Sequence, residues 1–250
     1  MSTSRPTPRW TAARVHRHLK SLADPKHAEV SRWFFKTGPG EYGEGDRFLG
    51  IRVPVIRAQV RQLDALPMSD AERLLQSAWH EERLRAVLWL VRRFTRGDSA
   101  TRKAVYDTYL RHLSHINNWD IVDTSAPQIV GGYLDGRGRA MLLRLAKSPN
   151  LWSRRVAMLA TLHTIRKDDY GDTLALATRL LRDPEDLMHK AVGWMLREMG
   201  KRDIRPLYAF LDAHATEMPR TMLRYALEKV PARRRLQYMQ AKRTTKGAPV

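Results

Sequence analysis

The chain contains no cysteine, which excludes disulfides, thiolate nucleophiles and cysteine-held zinc or iron–sulfur centres. It also lacks long apolar runs. No stretch approaches the roughly 18 uncharged apolar residues of a membrane-spanning helix. Met1 to Arg9 holds no apolar segment of the kind a secretory signal needs. A cytoplasmic location is therefore the default expectation. Clean alternation of apolar and polar residues is missing as well, so no sheet is expected. Acidic residues are the last shortage: 26 Asp and Glu stand against 45 Lys and Arg, a formal charge of +19.

What is present follows from that imbalance. A strongly positive field attracts polyanions, and nucleic acid is the usual partner. The alternative, a generally basic surface, fits the distribution poorly. From Gly136 to Lys167 there are eight basic residues and no acidic one, and from Lys229 onward seven more, again without an acid. Such clustering has the form of a binding footprint. At 250 residues the chain can bury a substantial core.

The periodicity is helical almost throughout. Residues 9–22 and 26–35 read as amphipathic helices, the second with Val30, Trp33 and Phe34 on its apolar side. Thr37 to Gly50 holds five glycines and Pro39 and is the one long irregular stretch. Pro54 opens the next helix as a first-turn proline. Ser69 with Glu72 has the spacing of a capping box. Further helices are expected at 70–78, 81–94, 101–113, 119–131, 137–146, 151–164, 172–181, 187–202, 204–213 and 219–228, divided by brief breakers such as Ser148-Pro149 and Asp183-Pro184. About a dozen helices joined by short turns, at roughly 35 to 40 residues per pair, predict an all-α fold: a curved α-solenoid of HEAT-like antiparallel helix pairs. An irregular bundle is the alternative. Residues 1–235 are read as a single DNA-binding and catalytic domain, and 236–250 as a basic, flexible C-terminal tail.

Three clusters combine aromatic and charged groups. In Asn117-Asn118-Trp119-Asp120-Ile121-Val122-Asp123, a cap at Asn118 places Trp119 and Asp123 four residues apart on one helical face. Trp119 could equally be ordinary packing, and the aspartates first-turn carboxylates. In Leu151-Trp152-Ser153-Arg154-Arg155, Arg155 could share the face of Trp152 while Arg154 points elsewhere; solvation of both is the plain reading. In His189 to Arg197, Gly193 stands in mid-helix, where glycine costs about 1 kcal/mol against alanine, a cost that commonly permits close approach of a helix or ligand. Trp194 beside it is either core or an exposed aromatic wall.

Together these segments resemble the AlkD-type family of DNA glycosylases, helical-repeat proteins that excise N3- and N7-alkylated purines. The resemblance covers about Trp10 to Arg235. It is carried by Phe48-Leu49-Gly50-Ile51-Arg52, Trp119-Asp120-x-Val122-Asp123, Leu151-Trp152-x-x-Arg155 and Lys190-Ala191-x-Gly193-Trp194-x-Leu196-Arg197, in that order. It implies that Asp123 is the catalytic carboxylate, Trp119 the aromatic beside it, Arg155 a DNA-contacting arginine and Trp194 the second aromatic of the cleft. Arg154, Lys190, Arg197, Arg52 and Tyr42 join them as candidate DNA contacts. The glycine-rich loop is longer than the matching connection expected in the family; its three acids oppose phosphate binding, and a structural role for it competes with contact through Tyr42.

The chemistry suits that assignment. An N3- or N7-alkylated purine is cationic and already a good leaving group, so what remains is to stabilise positive charge on the sugar and to orient water, which a fixed carboxylate does. No cofactor or metal is expected: the nine histidines form no ligand motif, and no lysine suggests Schiff-base chemistry. The expected partner is duplex DNA containing alkylated purines, with no membrane and no obligate protein partner, and the chain is read as a monomer. Two other readings remain on the same scaffold, a non-catalytic binder of damaged or branched DNA and a helical scaffold for protein partners.

Overall fold

A computed structural model describes residues 9–241. The described residues are helical, with no strand among them; one isolated bridge joins Arg47 to Trp79. They fall into two compact units that divide after Ser125.

The first unit carries α1 (Ala12–Lys20), α2 (Pro25–Phe34), α3 (Val53–Gln59), α4 (Met68–Leu75), α5 (His80–Arg96), α6 (Ser99–Arg111) and α7 (Trp119–Asp123). Helix α1 buries Val15 and Leu19, one turn apart. Its first N–H is satisfied by Asp70, whose Oδ1 accepts from the Ala12 amide at 2.9 Å. Asp24 caps α2 by accepting from the Lys26 and His27 amides, and Pro25 fills the first turn.

Two details of this unit depart from expectation. Val30, Trp33 and Phe34 are exposed, Trp33 by 82%, and α2 instead buries Ala28. The cause lies at Gly50. With φ at +83° it brings its backbone so close to α2 that a Cβ there would meet the Asp24 carbonyl at 2.1 Å and the Ala28 nitrogen at 2.5 Å. Glycine on one side and alanine on the other let two backbones meet, which leaves the large side chains facing outward. Secondly, Ser69 does not cap α4. Pro67 occupies that position without a side-chain bond, and Glu72 accepts from Arg111 at 2.7 Å rather than turning back on its own helix.

Helix α5 is the axis of this unit. Trp89 anchors it, fully buried, with Nε1 donating to the Leu63 carbonyl at 2.7 Å. Its first turns bury His80, Glu81, Glu82, Arg83 and Arg85. Buried charges demand partners. Glu81 accepts from the amides of Leu49, Gly50 and Ile51 at 2.7 to 3.2 Å. Glu82 meets His16 at 2.5 Å, and Arg83 meets Asp46 at 2.5 Å. Arg85 is the exception: among the described residues its guanidinium makes no hydrogen bond, and it lies over the Trp10 ring, 5.4 Å from its centre. Burial pulls its pKa down to about 10.

The second unit carries α8 (Gly132–Leu134), α9 (Ala140–Ala146), α10 (Leu151–Ala160), α11 (Leu162–Ile165), α12 (Gly171–Arg179), α13 (Asp186–Arg202), α14 (Ile204–His214), α15 (Arg220–Ala226) and α16 (Ala232–Gln240). The helix expected over 119–131 is broken: α7 ends at Asp123, and Pro127, which has no N–H to give, opens a wider π-type turn over Pro127–Gly131. Neighbouring helices pack on one another, α9 on α10 and α13 on both α14 and α15. Gly193 marks the α13–α15 contact, where a Cβ would meet the Met222 carbonyl at 2.4 Å. The close approach read from sequence is therefore that of a helix. Helix α16 runs five residues into the stretch read as a basic tail; residues 242–250 of that tail lie outside the described residues.

Candidate active site

In the first unit, Trp119 and Asp123 begin and end α7. Asn118 caps the helix: its Oδ1 accepts from the Trp119 amide at 2.8 Å, and its Nδ2 donates to Asp46 at 3.3 Å. Trp119 and Asp123 are both half-buried, whereas Ile121 and Val122 between them are buried. Two side chains four residues apart thus share the more open face. Beneath α7 lies Tyr109, fully buried, with its hydroxyl 2.9 Å from Ser125 Oγ. Burial pushes the Tyr109 phenol well above its ordinary pKa, and the charge of Asp123 raises it further.

The Trp119 indole rests on an aromatic bed. It stacks on Phe35, with ring centres 5.4 Å apart, and meets Phe34 edge-on at 5.8 Å. Phe35 stacks in turn on Phe48, and His80 lies against both rings at 4.9 and 4.7 Å. The polar side of this bed is a closed set of bonds. His80 Nε2 lies 2.8 Å from Asp120 Oδ2, and His80 Nδ1 lies 3.3 Å from Asp46 Oδ2. Burial disfavours charge on His80, but the paired carboxylates outweigh it and lift the pKa to about 9. Asp46, for which burial works in the opposite direction, is held below its ordinary value by His80, Arg83 and Asn118.

The other two candidates of this unit stand on its surface. Arg52 is exposed at the start of α3 and makes no capping bond there. Tyr42 is half-buried, its hydroxyl 3.4 Å from the Phe34 carbonyl.

In the second unit, Trp152 and Arg155 are buried on α10, three residues apart as the spacing suggested. Arg155 donates from NH1 to the Leu187 carbonyl at 2.6 Å. Arg154 is half-buried and held by protein partners rather than solvated. It forks onto Asp183 at 2.6 and 3.1 Å and donates to the Ser148 and Pro149 carbonyls. Such a bidentate pair uses the planar guanidinium as a clamp, here between the start of α10 and the turn before α13.

Lys190 pairs with Asp186 one turn earlier at 2.9 Å. Trp194 is half-buried and donates from Nε1 to Glu198 at 3.0 Å. Glu198 also receives Arg197 and Lys201, and Arg197 reaches Glu228 besides. Burial would raise the Glu198 carboxyl; these donors hold it below its ordinary value.

A family model described as "DNA alkylation repair enzyme" matches residues 15–230. The chain belongs to the DNA alkylation repair enzyme family. A solved structure titled "Predicted DNA alkylation repair enzyme from Enterococcus faecalis" shares its helical fold, with a TM-score of 0.64 over 84% of this chain and 97% of that one. Identity between the two is 18%, so this likeness concerns the fold alone. No curated protein matches.

For a member of this family, several residues of interest carried no signal in the sequence. His80 and Asp46 lie 34 residues apart, and only the fold brings them under α7. Arg57 donates to Thr124 Oγ1 at 2.6 Å, beside Asp123. It also lines a groove of about 300 Å³ with Arg61, Arg92 and Arg96. The acid-free block from 136 to 167 divides in two: Arg154 and Arg155 turn inward, whereas Arg137, Arg139, Arg144, Lys147, Arg166 and Lys167 are exposed. Among the described residues no helix is long and apolar enough to cross a membrane.

Proposed function

We propose that this member of the family is a monofunctional alkylpurine DNA glycosylase, acting as a monomer on duplex DNA with residues 1–235 as its working domain. The observation that supports it best is α7 itself, which sets a half-buried carboxylate and a half-buried indole on one face. DNA binding alone has no use for a carboxylate, which repels phosphate.

The reaction breaks the bond between the sugar C1′ and the purine. The bonding electrons leave with the base and neutralise its positive charge. Water adds its oxygen to C1′ and gives up a proton, leaving an abasic sugar and a free alkylpurine. Asp123 stabilises the cationic sugar and takes the proton from water. Trp119, fixed on its aromatic bed, presents a ring face to the cationic nucleotide. The family resemblance gives Trp194 of the second unit to the nucleotide and Arg155 to the DNA backbone; Arg155, buried and bonded to the Leu187 carbonyl, would reach a phosphate only by leaving that bond. Phosphate contacts fall to exposed or half-exposed cations and donors, among them Arg52, Lys190, Arg197 and Tyr42. Arg154, tied to Asp183, is reassigned to holding α10 in place. The reaction consumes only water and substrate, so it needs no cofactor.

Incubating the protein with methylated duplex DNA and measuring free 3-methyladenine and 7-methylguanine tests this reading. Release is expected from the wild type, and Asp123→Asn is expected to lower it by on the order of 100-fold or more while duplex binding persists. Tight binding by the wild type without release would favour a non-catalytic binder of damaged or branched DNA.

A further inference from the structure

Helix α7 has five residues, too few to persist on its own hydrogen bonds. Its geometry must come from what surrounds it. Two supports reach it from beneath. One is the stack of Phe35 on Trp119. The other is Asp120, whose Oδ1 accepts from the Ile121 amide at 2.9 Å while Oδ2 faces His80.

His80 is almost completely buried, yet each ring nitrogen faces a carboxylate oxygen. An ionised carboxylate only accepts, so both nitrogens satisfy their partners only when both carry hydrogen. The ring is then a cation. The charged groups around it are Asp120 from α7, Asp46 from the loop before α3, and Arg83 one turn along α5. Two negative charges face it against one positive. Phe48 stacks on the ring, and Phe35 lies tilted against the ring and stacks on Phe48. The ring of bonds closes through Asn118, which shares Asp46 Oδ2 with His80 and caps α7.

We propose that His80 is a buried imidazolium that positions α7, and with it Trp119 and Asp123, for base release. It touches neither substrate nor water and acts through Asp120 and Asn118, as a supporting partner orients a reactive group. The proposal rests on the glycosylase reading of α7, and its tests are chosen to fail separately from that reading.

The first test needs no substrate. Nitrogen NMR of the histidine rings in the wild-type protein is expected to show His80 with both nitrogens protonated from pH 6 to 8, titrating near pH 9. A neutral tautomer at pH 7.5 would overturn the proposal. The second compares wild type with His80→Gln, which can serve only one of the two carboxylates at a time. Single-turnover base release is expected to slow by about tenfold or more, with duplex affinity unchanged. The wild-type rate should fall as pH rises through about 9, and the variant should lose that limb. Equal rates in the two proteins would overturn the positioning role.

Stability gives a third reading. A histidine whose pKa is raised on folding stabilises fully below its unfolded value of 6.5 and loses that contribution as pH climbs through about 9. The advantage of wild type over His80→Gln in urea midpoint should therefore be largest at pH 6 and shrink toward pH 9.5; a constant gap would count against the charged ring. If the wild type releases no base at all, the functional reading fails, and the ring's charge is still decided by NMR and by the urea series.

Discussion

The two units are each built on a helix of 17 residues, α5 and α13; both bury an apolar set, and α5 adds a buried cluster of charges that α13 lacks. Helix α5 buries His80, Glu81, Glu82, Arg83 and Arg85 in its first turns. Helix α13 buries Met188, Ala191, Val192, Gly193, Met195, Leu196 and Met199, with its charges kept toward the surface. Dispersion and excluded water hold both, through Leu84, Val87, Trp89 and Leu90 in the first; directional bonds are added only at the start of α5. A methionine-rich interior adapts to shape and tolerates exchange. A core of paired charges does not adapt, because each member has one acceptable position and a lost partner leaves a stranded charge. Loop 37–50 and α7, which carry little regular structure of their own, are held by the rigid kind of core.

Changing Glu81 should expose that difference most sharply. Its carboxylate satisfies three consecutive amides in the Leu49-Gly50-Ile51 turn. Glu81→Gln sets an NH2 group against those donors, and a loss of about 3 to 5 kcal/mol is expected from urea denaturation. A loss below about 0.5 kcal/mol, the usual size of a surface effect, would mean that the turn stands without it. Arg85 tests the opposite limit, a buried charge with no hydrogen-bonding partner among the described residues. Arg85→Met keeps the volume and removes the desolvated cation, so stability should rise by about 2 kcal/mol; a clear fall would show the Trp10 contact to be worth more than its geometry suggests. The smallest effect belongs to α13. Met195→Leu should change stability by less than about 1.5 kcal/mol in either direction, and a larger loss would erase the contrast between the two cores.

How far the sequence carried the reading follows the same division. Helix spacing and the Asn118 cap were legible because each depends on residues within a few positions; Gly193 stood out as a mid-helix glycine, and only the fold names Met222 as what approaches it. The four family-like segments likewise lie on short contiguous stretches. The core of α5 was not legible, since His80-Glu81-Glu82-Arg83 looks like an ordinary charged first turn. Its meaning comes from Asp46, Leu49-Gly50-Ile51 and Asp120, which lie 30 to 40 residues away. Ser69 misled for a related reason: the local capping pattern was present, but Arg111 claimed Glu72 from another helix. Arg154 and Arg155 are adjacent in sequence and equally basic, and only packing separates the clamp on Asp183 from the bond to Leu187. Val30, Trp33 and Phe34 reversed because Gly50 draws the backbone of α2 inward.

The shortness of α7 carries a consequence for how the molecule fails when warmed. Five residues contribute almost nothing to a far-ultraviolet helix signal that is dominated by α5, α6 and α13. Local opening precedes global unfolding wherever a segment depends on borrowed contacts. The turn that bears Trp119 and Asp123 should therefore come loose while the ellipticity of the chain is still intact. Heat-inactivation curves would then lie to the low-temperature side of circular dichroism melts, and the interval between them would measure how firmly the rest of the first unit holds that single turn.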